Sequence, residues 1–145
     1  MPLLWPLAEN PTISIIDDDP AVRDALSRLM DSADLAAEVF TSAEGFLASP
    51  SRHDTTCLIL DVHLPGMDGL ELQRHLAACN LTVPIIFISA HADAEVRARA
   101  LQAGAIAFFH KPFSSAALLE AIDGAQVSRG KDAVNDVSGT RDRPD

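Results

Sequence analysis

The sequence predicts an α/β domain: a parallel sheet with helices packed on both faces. Three observations carry this. Five short apolar runs alternate along the chain with five segments of helical apolar spacing, the pattern that builds parallel sheets. Two runs, Cys57-Leu58-Ile59-Leu60 and Pro84-Ile85-Ile86-Phe87-Ile88, are apolar without interruption, as strands covered on both sides must be. Finally, the runs stop abruptly at polar residues, and in open α/β sheets ligands bind outside the carboxyl ends of the strands.

In order, residues 12–16 form the first predicted strand, which ends in Asp17-Asp18-Asp19-Pro20. Asp19 suits a helix N-cap and Pro20 the first helical position. Val22, Ala25, Leu26, Leu29 and Met30 then mark one buried helical face. Residues 36–40 read as a weaker strand, 43–48 as a short helix, and 49–55 as a polar loop broken by Pro50. The third strand, 57–60, leads to Asp61, and a Pro65-Gly66 turn follows. Leu72, Leu76 and Cys79 place the next helix by i, i+4, i+7 spacing.

The fourth strand covers 84–88 and ends in Ser89-Ala90-His91. A helix over 93–103 is expected to bury Val96, Ala100 and Ala103, with Gly104 closing it. The fifth strand, 105–109, ends at His110-Lys111-Pro112. Ser114 then caps a last helix with Leu118, Leu119, Ile122 and Ala125 inside. This divides the chain into an N-terminal extension at 1–10, a domain at 11–127, and a mobile tail or start of a linker at 128–145, where apolar periodicity is lost.

Composition narrows the function. The net charge is −10, and after Gln126 the charges balance, so the acidic excess belongs to the folded part. Such a surface repels phosphate backbones and argues against direct nucleic-acid binding by this chain. No apolar run approaches a membrane span. The apolar residues 1–8 lack a basic start and carry two prolines, unlike a signal peptide; a cytoplasmic protein is expected. Two isolated cysteines, Cys57 and Cys79, suggest buried thiols and no disulfide framework.

The polar strand ends form a constellation. If Asp17, Asp18, Asp61, Ser89 and Lys111 share one crevice, three carboxylates meet one hydroxyl and one ammonium. Two carboxylates about 4 Å apart repel by roughly 4 kcal/mol at an effective dielectric near 20, so the cluster calls for cations. Lys111 supplies one; Mg²⁺, or Mn²⁺ in its place, is a natural second, because it takes a few carboxylate oxygens and leaves positions for water and phosphate. That is a site for in-line phosphoryl transfer to a carboxylate. Each member taken singly has a plainer reading as a cap, turn or surface residue.

Over residues 11 to 126 the chain resembles the receiver domain of two-component response regulators. The matching motifs are Ile15-Ile16-Asp17-Asp18, Leu60-Asp61-Val62-His63-Leu64-Pro65-Gly66-Met67-Asp68-Gly69, Ile88-Ser89-Ala90 and Lys111-Pro112-Phe113. Thr41-Ser42-Ala43-Glu44 with Phe46-Leu47 is most similar to receivers attached to helix-turn-helix output domains. The resemblance implies a flavodoxin-like (βα)5 fold with strand order 2-1-3-4-5. It implies that Asp61 accepts a phosphoryl group from a sensor histidine kinase. Asp18, Asp61 and the His63 backbone carbonyl would bind Mg²⁺ directly, and Asp17 through water. Ser89 and Lys111 would contact the phosphoryl group, and Phe108 would be the aromatic switch residue coupled to Ser89. In the family the bond matching Lys111-Pro112 is often cis, against a bare prior of about 5%.

Two positions depart from the commoner pattern: Ser89 stands for Thr, and Phe108 for Tyr, so the switch can act only by packing. His63 and His91 would flank the phosphoryl group and tune its lifetime, with a pH dependence between about pH 5.5 and 7.5; two solvated loop histidines are the alternative. Output is expected through an attached domain or a downstream protein, or through a homodimer formed by the helices after strands four and five, where Arg97 and Arg99 could pair with acidic residues. Two other functions compete. A binding-only module would normally lack part of the acidic and lysine set. A haloacid dehalogenase-type phosphohydrolase fits the Asp17–Asp19 spacing, but Ala21 stands where Thr or Val is wanted, and 145 residues leave no room for a cap domain. No turnover on an external substrate is expected.

Overall fold

The computed structural model describes residues 12–91 and 93–138, with side chains as far as Gln126. Five strands, β1 (Thr12–Ile16), β2 (Ala36–Phe40), β3 (Cys57–Asp61), β4 (Ile85–Ser89) and β5 (Ala107–His110), form one sheet in the order β2-β1-β3-β4-β5. Every neighbouring pair is parallel. The helices are α1 (Pro20–Ser32), α2 (Ala43–Ala48), α3 (Gly69–Ala78), α4 (Ala94–Gln102) and α5 (Ser115–Ser138). This is the flavodoxin-like fold.

Alternation along the strands divides the core. Cys57 and Ile59 of β3, with Ile13, Ile15, Ile86 and Ile88, face Leu26 and Met30 of α1 and Leu118, Ile122 and Ala125 of α5. Leu58 and Leu60, with Ile16 and Phe87, face the other way, onto Phe46 of α2, Leu72 and Leu76 of α3 and Ala100 of α4. All five residues of both β3 and β4 are buried, whereas β2 lies at the edge and is mostly exposed. The central strands therefore read as continuous apolar runs and β2 does not.

Helix starts follow local chemistry. Asp19 Oδ1 accepts the Ala21 N–H at 2.9 Å, with Pro20 first in the helix. Ser42, Asp93 and Ser114 accept N–H groups in the same way. Asp68 and Glu71 form a reciprocal capping box at the start of α3, a pairing the sequence reading passed over.

Several expectations need correction. Cys79 is exposed, not buried: α3 ends at Ala78, and Cys79 caps it with its Sγ 3.7 Å from His75 Nε2. Ala25 and Ala103 are also exposed. On α1, Leu26 and Met30 are fully buried and Val22 and Leu29 partly so, while Ala25 drops out of the expected stripe. Ala103 likewise falls past the end of its helix, as the C-cap of α4. Residues 50–54, read as loop, form a 3₁₀ turn capped by Ser49.

β5 begins two residues later than expected, because the Ala105 N–H still closes α4 through the Ala100 carbonyl. β4 starts at Ile85 instead of Pro84 and includes Ser89. Helix α5 continues to Ser138, beyond Val127 where apolar periodicity fails. The expected extension at 1–10 and the last seven residues of the expected tail lie outside the described residues.

Candidate functional site

The carboxyl ends of β1, β3, β4 and β5 converge at one end of the sheet. β1 and β3 are direct neighbours, with Ile16 beside Leu60, so the residues that follow them, Asp17 and Asp61, are brought together by register. Asp17, Asp18 and Asp61 offer carboxylate oxygens within 4.8 Å of one another. Asp17 and Asp61 are buried and Asp18 is exposed, so the cluster opens to solvent on one side.

Lys111 reaches in from the residue after β5. Its Nζ donates to Asp17 Oδ2 at 2.9 Å and to Asp61 Oδ2 at 3.4 Å. The second oxygens are held by the backbone: Asp17 Oδ1 accepts from the Asp19 N–H at 2.9 Å, and Asp61 Oδ1 from the His63 N–H at 3.2 Å. The Lys111 N–H bonds the Ser89 carbonyl, and the Lys111–Pro112 peptide is cis. Burial raises the Asp61 carboxyl above its ordinary pKa, and the charge of Asp17 adds to the rise; Lys111 and the His63 N–H offset only part of it. For Lys111, burial works to lower the pKa, but the Asp17 hydrogen bond and the two carboxylate charges outweigh it and the net shift is upward.

Ser89 is fully buried at the end of β4, in register with His110 and beside Asp61's strand. Its hydroxyl donates to the His91 carbonyl at 3.0 Å and accepts the His91 N–H at 3.2 Å. Phe108 is buried against Phe87, ring centroids 5.9 Å apart. His63 and His91, two residues after Asp61 and Ser89, stand together: His63 Nε2 lies 3.3 Å from the His91 carbonyl oxygen, and the rings meet edge to face at 5.7 Å. All eight residues singled out from the sequence thus occupy the same end of the sheet or its flank.

Three contributors were missed. Arg23 on α1 donates to the Asp17 carbonyl at 2.9 Å. Gly69 packs so close to β3 that a Cβ there would collide with the Asp61 carbonyl oxygen. Glu44 on α2 accepts the Met67 N–H at 2.8 Å, twenty-three residues away in sequence. Only the Gly69 requirement had a signal, in the Gly-rich turn after Asp61; the other two depend on tertiary contact.

A family model described as the response regulator receiver domain matches residues 13–123. The chain belongs to the response regulator receiver domain family. It is 49% identical over 113 residues to the response regulator protein TodT of Pseudomonas putida, covering 78% of this chain and 50% of that protein. It is 35% identical over 136 residues to the transcriptional regulatory protein FixJ of Azorhizobium caulinodans, covering 90% and 64%. The chain thus spans about half the length of the first of these relatives. Among solved structures, response regulator StyR superposes with a TM-score of 0.79 at 42% identity, covering 88% of this chain and 65% of that one. For FixJ-N the TM-score is 0.72 at 35% identity, covering 80% and 93%. Among the described residues, no helix is long and apolar enough to cross a membrane.

Proposed function

We propose that this receiver domain accepts a phosphoryl group on Asp61 from the phosphohistidine of a sensor histidine kinase and hands the resulting change to an output domain or partner. The observation that carries the reading is the buried Asp61 carboxylate, held by the Lys111 ammonium and the His63 N–H beside two further carboxylates.

In the transfer, an Asp61 carboxylate oxygen attacks phosphorus in line, the P–N bond of the donor breaks, and the imidazole leaves with its electron pair and takes up a proton. Lys111, already within reach of both buried carboxylates, pairs with a transferred oxygen, and the Ser89 hydroxyl gives up His91 to donate to another. The donor set suits a hard divalent cation: three carboxylates meet one ammonium, and all the available ligand atoms are oxygens. Asp18, Asp61 and the His63 carbonyl would hold Mg²⁺ or Mn²⁺ directly and Asp17 through water. When bound, the cation neutralises charge on the phosphoryl oxygens. The product is a stoichiometric acyl phosphate on the protein itself, so no turnover of an external substrate follows.

When Ser89 moves, Phe108 can shift from its present packing against Phe87 and change the surface of α4, β5 and α5. Phosphorylation would then favour a homodimer through α4 and α5, where Arg97 and Arg99 are exposed. Sedimentation with and without a beryllofluoride mimic tests this; an unchanged mass would exclude it. The main test is incubation with Mg²⁺ and phosphoramidate: the parent is labelled and Asp61→Asn is not. Labelling of the variant to the parent level would refute the assignment.

A further inference from the structure

The segment between Asp61 and α3 carries the His63 carbonyl, a cation ligand in the proposed function, and the shape of the segment sets where that oxygen lies. Its two ends are secured locally. The Val62 carbonyl accepts the Gly69 N–H at 2.8 Å, and Asp68 is fixed in its capping box with Glu71. The middle, Pro65-Gly66-Met67, is not. Among the described residues, its one hydrogen bond to another element is the Met67 N–H donating to Glu44 Oε2 at 2.8 Å.

Glu44 is itself exposed, but the helix that carries it is tied into the core. α2 is capped by Ser42 and anchored by fully buried Ala43 and Phe46, and Leu64 and Met67 pack into the same apolar cluster. Gly66 is shaped to the contact. It sits at φ +74°, and a Cβ there would lie 2.6 Å from Glu44 Oε2, so the turn needs glycine both for its backbone and for the approach of the carboxylate. The Met67 N–H also lowers the Glu44 pKa, as a donor to a carboxylate does.

We propose that Glu44 is a positioning residue for the cation site: by bracing Met67 from α2, it holds the 62–68 loop so that the His63 carbonyl faces Asp18 and Asp61. The proposal rests on the phosphoacceptor reading and extends it to a side chain that touches neither cation nor phosphoryl group. Partners that orient a metal ligand without touching the metal commonly affect affinity about 10- to 100-fold. Glu44 acts on the ligand's loop and not on the ligand itself, which places it at the lower end, about 10-fold.

The experiment is calorimetric titration of the unphosphorylated protein with Mg²⁺, together with melting curves in metal-free buffer. Glu44→Ala should weaken Mg²⁺ binding about 10-fold while its melting temperature stays close to that of the parent. Glu44→Gln keeps an oxygen acceptor at the same place and should restore most of the loss. Gly66→Ala, which pushes the carboxylate away from the other side, should weaken binding in the parent and less so in the Glu44→Ala background. Parent-like affinity in Glu44→Ala overturns the proposal, and so does a Gln variant as weak as the Ala variant, which would make the effect one of charge alone. A parent that binds Mg²⁺ but is never labelled by phosphoramidate refutes the phosphoacceptor reading instead, and leaves the Glu44 comparison standing.

Discussion

Replacing Asp61 with asparagine should make the metal-free protein more stable. Asp61 lies within 4.8 Å of the Asp17 and Asp18 carboxylates and 3.4 Å from Lys111. At an effective dielectric near 20, the two repulsions together cost about 7 kcal/mol and the ammonium returns about 5. Asp18 is exposed, so its share is screened and the Coulomb contributions come close to cancelling. The cost of burying the Asp61 charge, which asparagine does not bear, then decides the sign. A gain of about 1–2 kcal/mol follows, or about 3–8 °C in melting temperature for a domain of this size.

The pH dependence has a definite sign. The folded Asp61 pKa is raised above its ordinary 3.8, so the folded state holds this proton more tightly than the unfolded one. The penalty is absent below about pH 3.8 and complete above the raised folded value, so the advantage of Asn over Asp should shrink as pH falls through that window. Urea unfolding in chelator-treated buffer at several pH values measures this. Under the proposed function, adding Mg²⁺ should reverse the order, because a ligand at 100 times its dissociation constant stabilises by about 2.7 kcal/mol, and the asparagine variant would lack one of the proposed ligand carboxylates. An asparagine variant less stable than the parent in metal-free buffer at neutral pH would refute the electrostatic argument.

Removing the cation instead of the anion should act in the opposite direction. Lys111→Met leaves Asp17 and Asp61 facing each other without the ammonium and should cost about 3 kcal/mol in metal-free urea unfolding; an unchanged midpoint would show that the carboxylates are relieved some other way. Asp68→Ala breaks the capping box of α3 and should cost about 1 kcal/mol in the same measurement. If the rings of His63 and His91 govern water access to the proposed acyl phosphate, His63→Ala and His91→Ala should each change its decay rate; decay curves that overlay the parent's in both variants would assign these rings to solvent.

Much of this architecture was legible because the determinants are local. β1, β2 and α2 have the predicted bounds, and the strand-end carboxylates and lysine converge because parallel strands bring their ends together. The failures share a different cause. Cys79 and Ala103 continue the apolar spacing of their helices but stand at C-caps, where spacing no longer says which way a side chain faces. Ala105 looks like strand yet serves as the last hydrogen-bond donor to α4. Strand order came from family resemblance, since alternation alone fits more than one order. The Glu44–Met67 and Arg23–Asp17 contacts join residues whose proximity exists only after the helices pack.

Locating the transferred phosphoryl group on the chain tests Asp61 as its acceptor most directly. The parent protein would be treated with Mg²⁺ and phosphoramidate, reduced with borohydride to convert an acyl phosphate into an alcohol, digested, and read by tandem mass spectrometry. Homoserine in place of Asp61, absent without the donor, is the expected result. Reduction product at Asp17 or Asp18 with Asp61 unmodified would contradict the account.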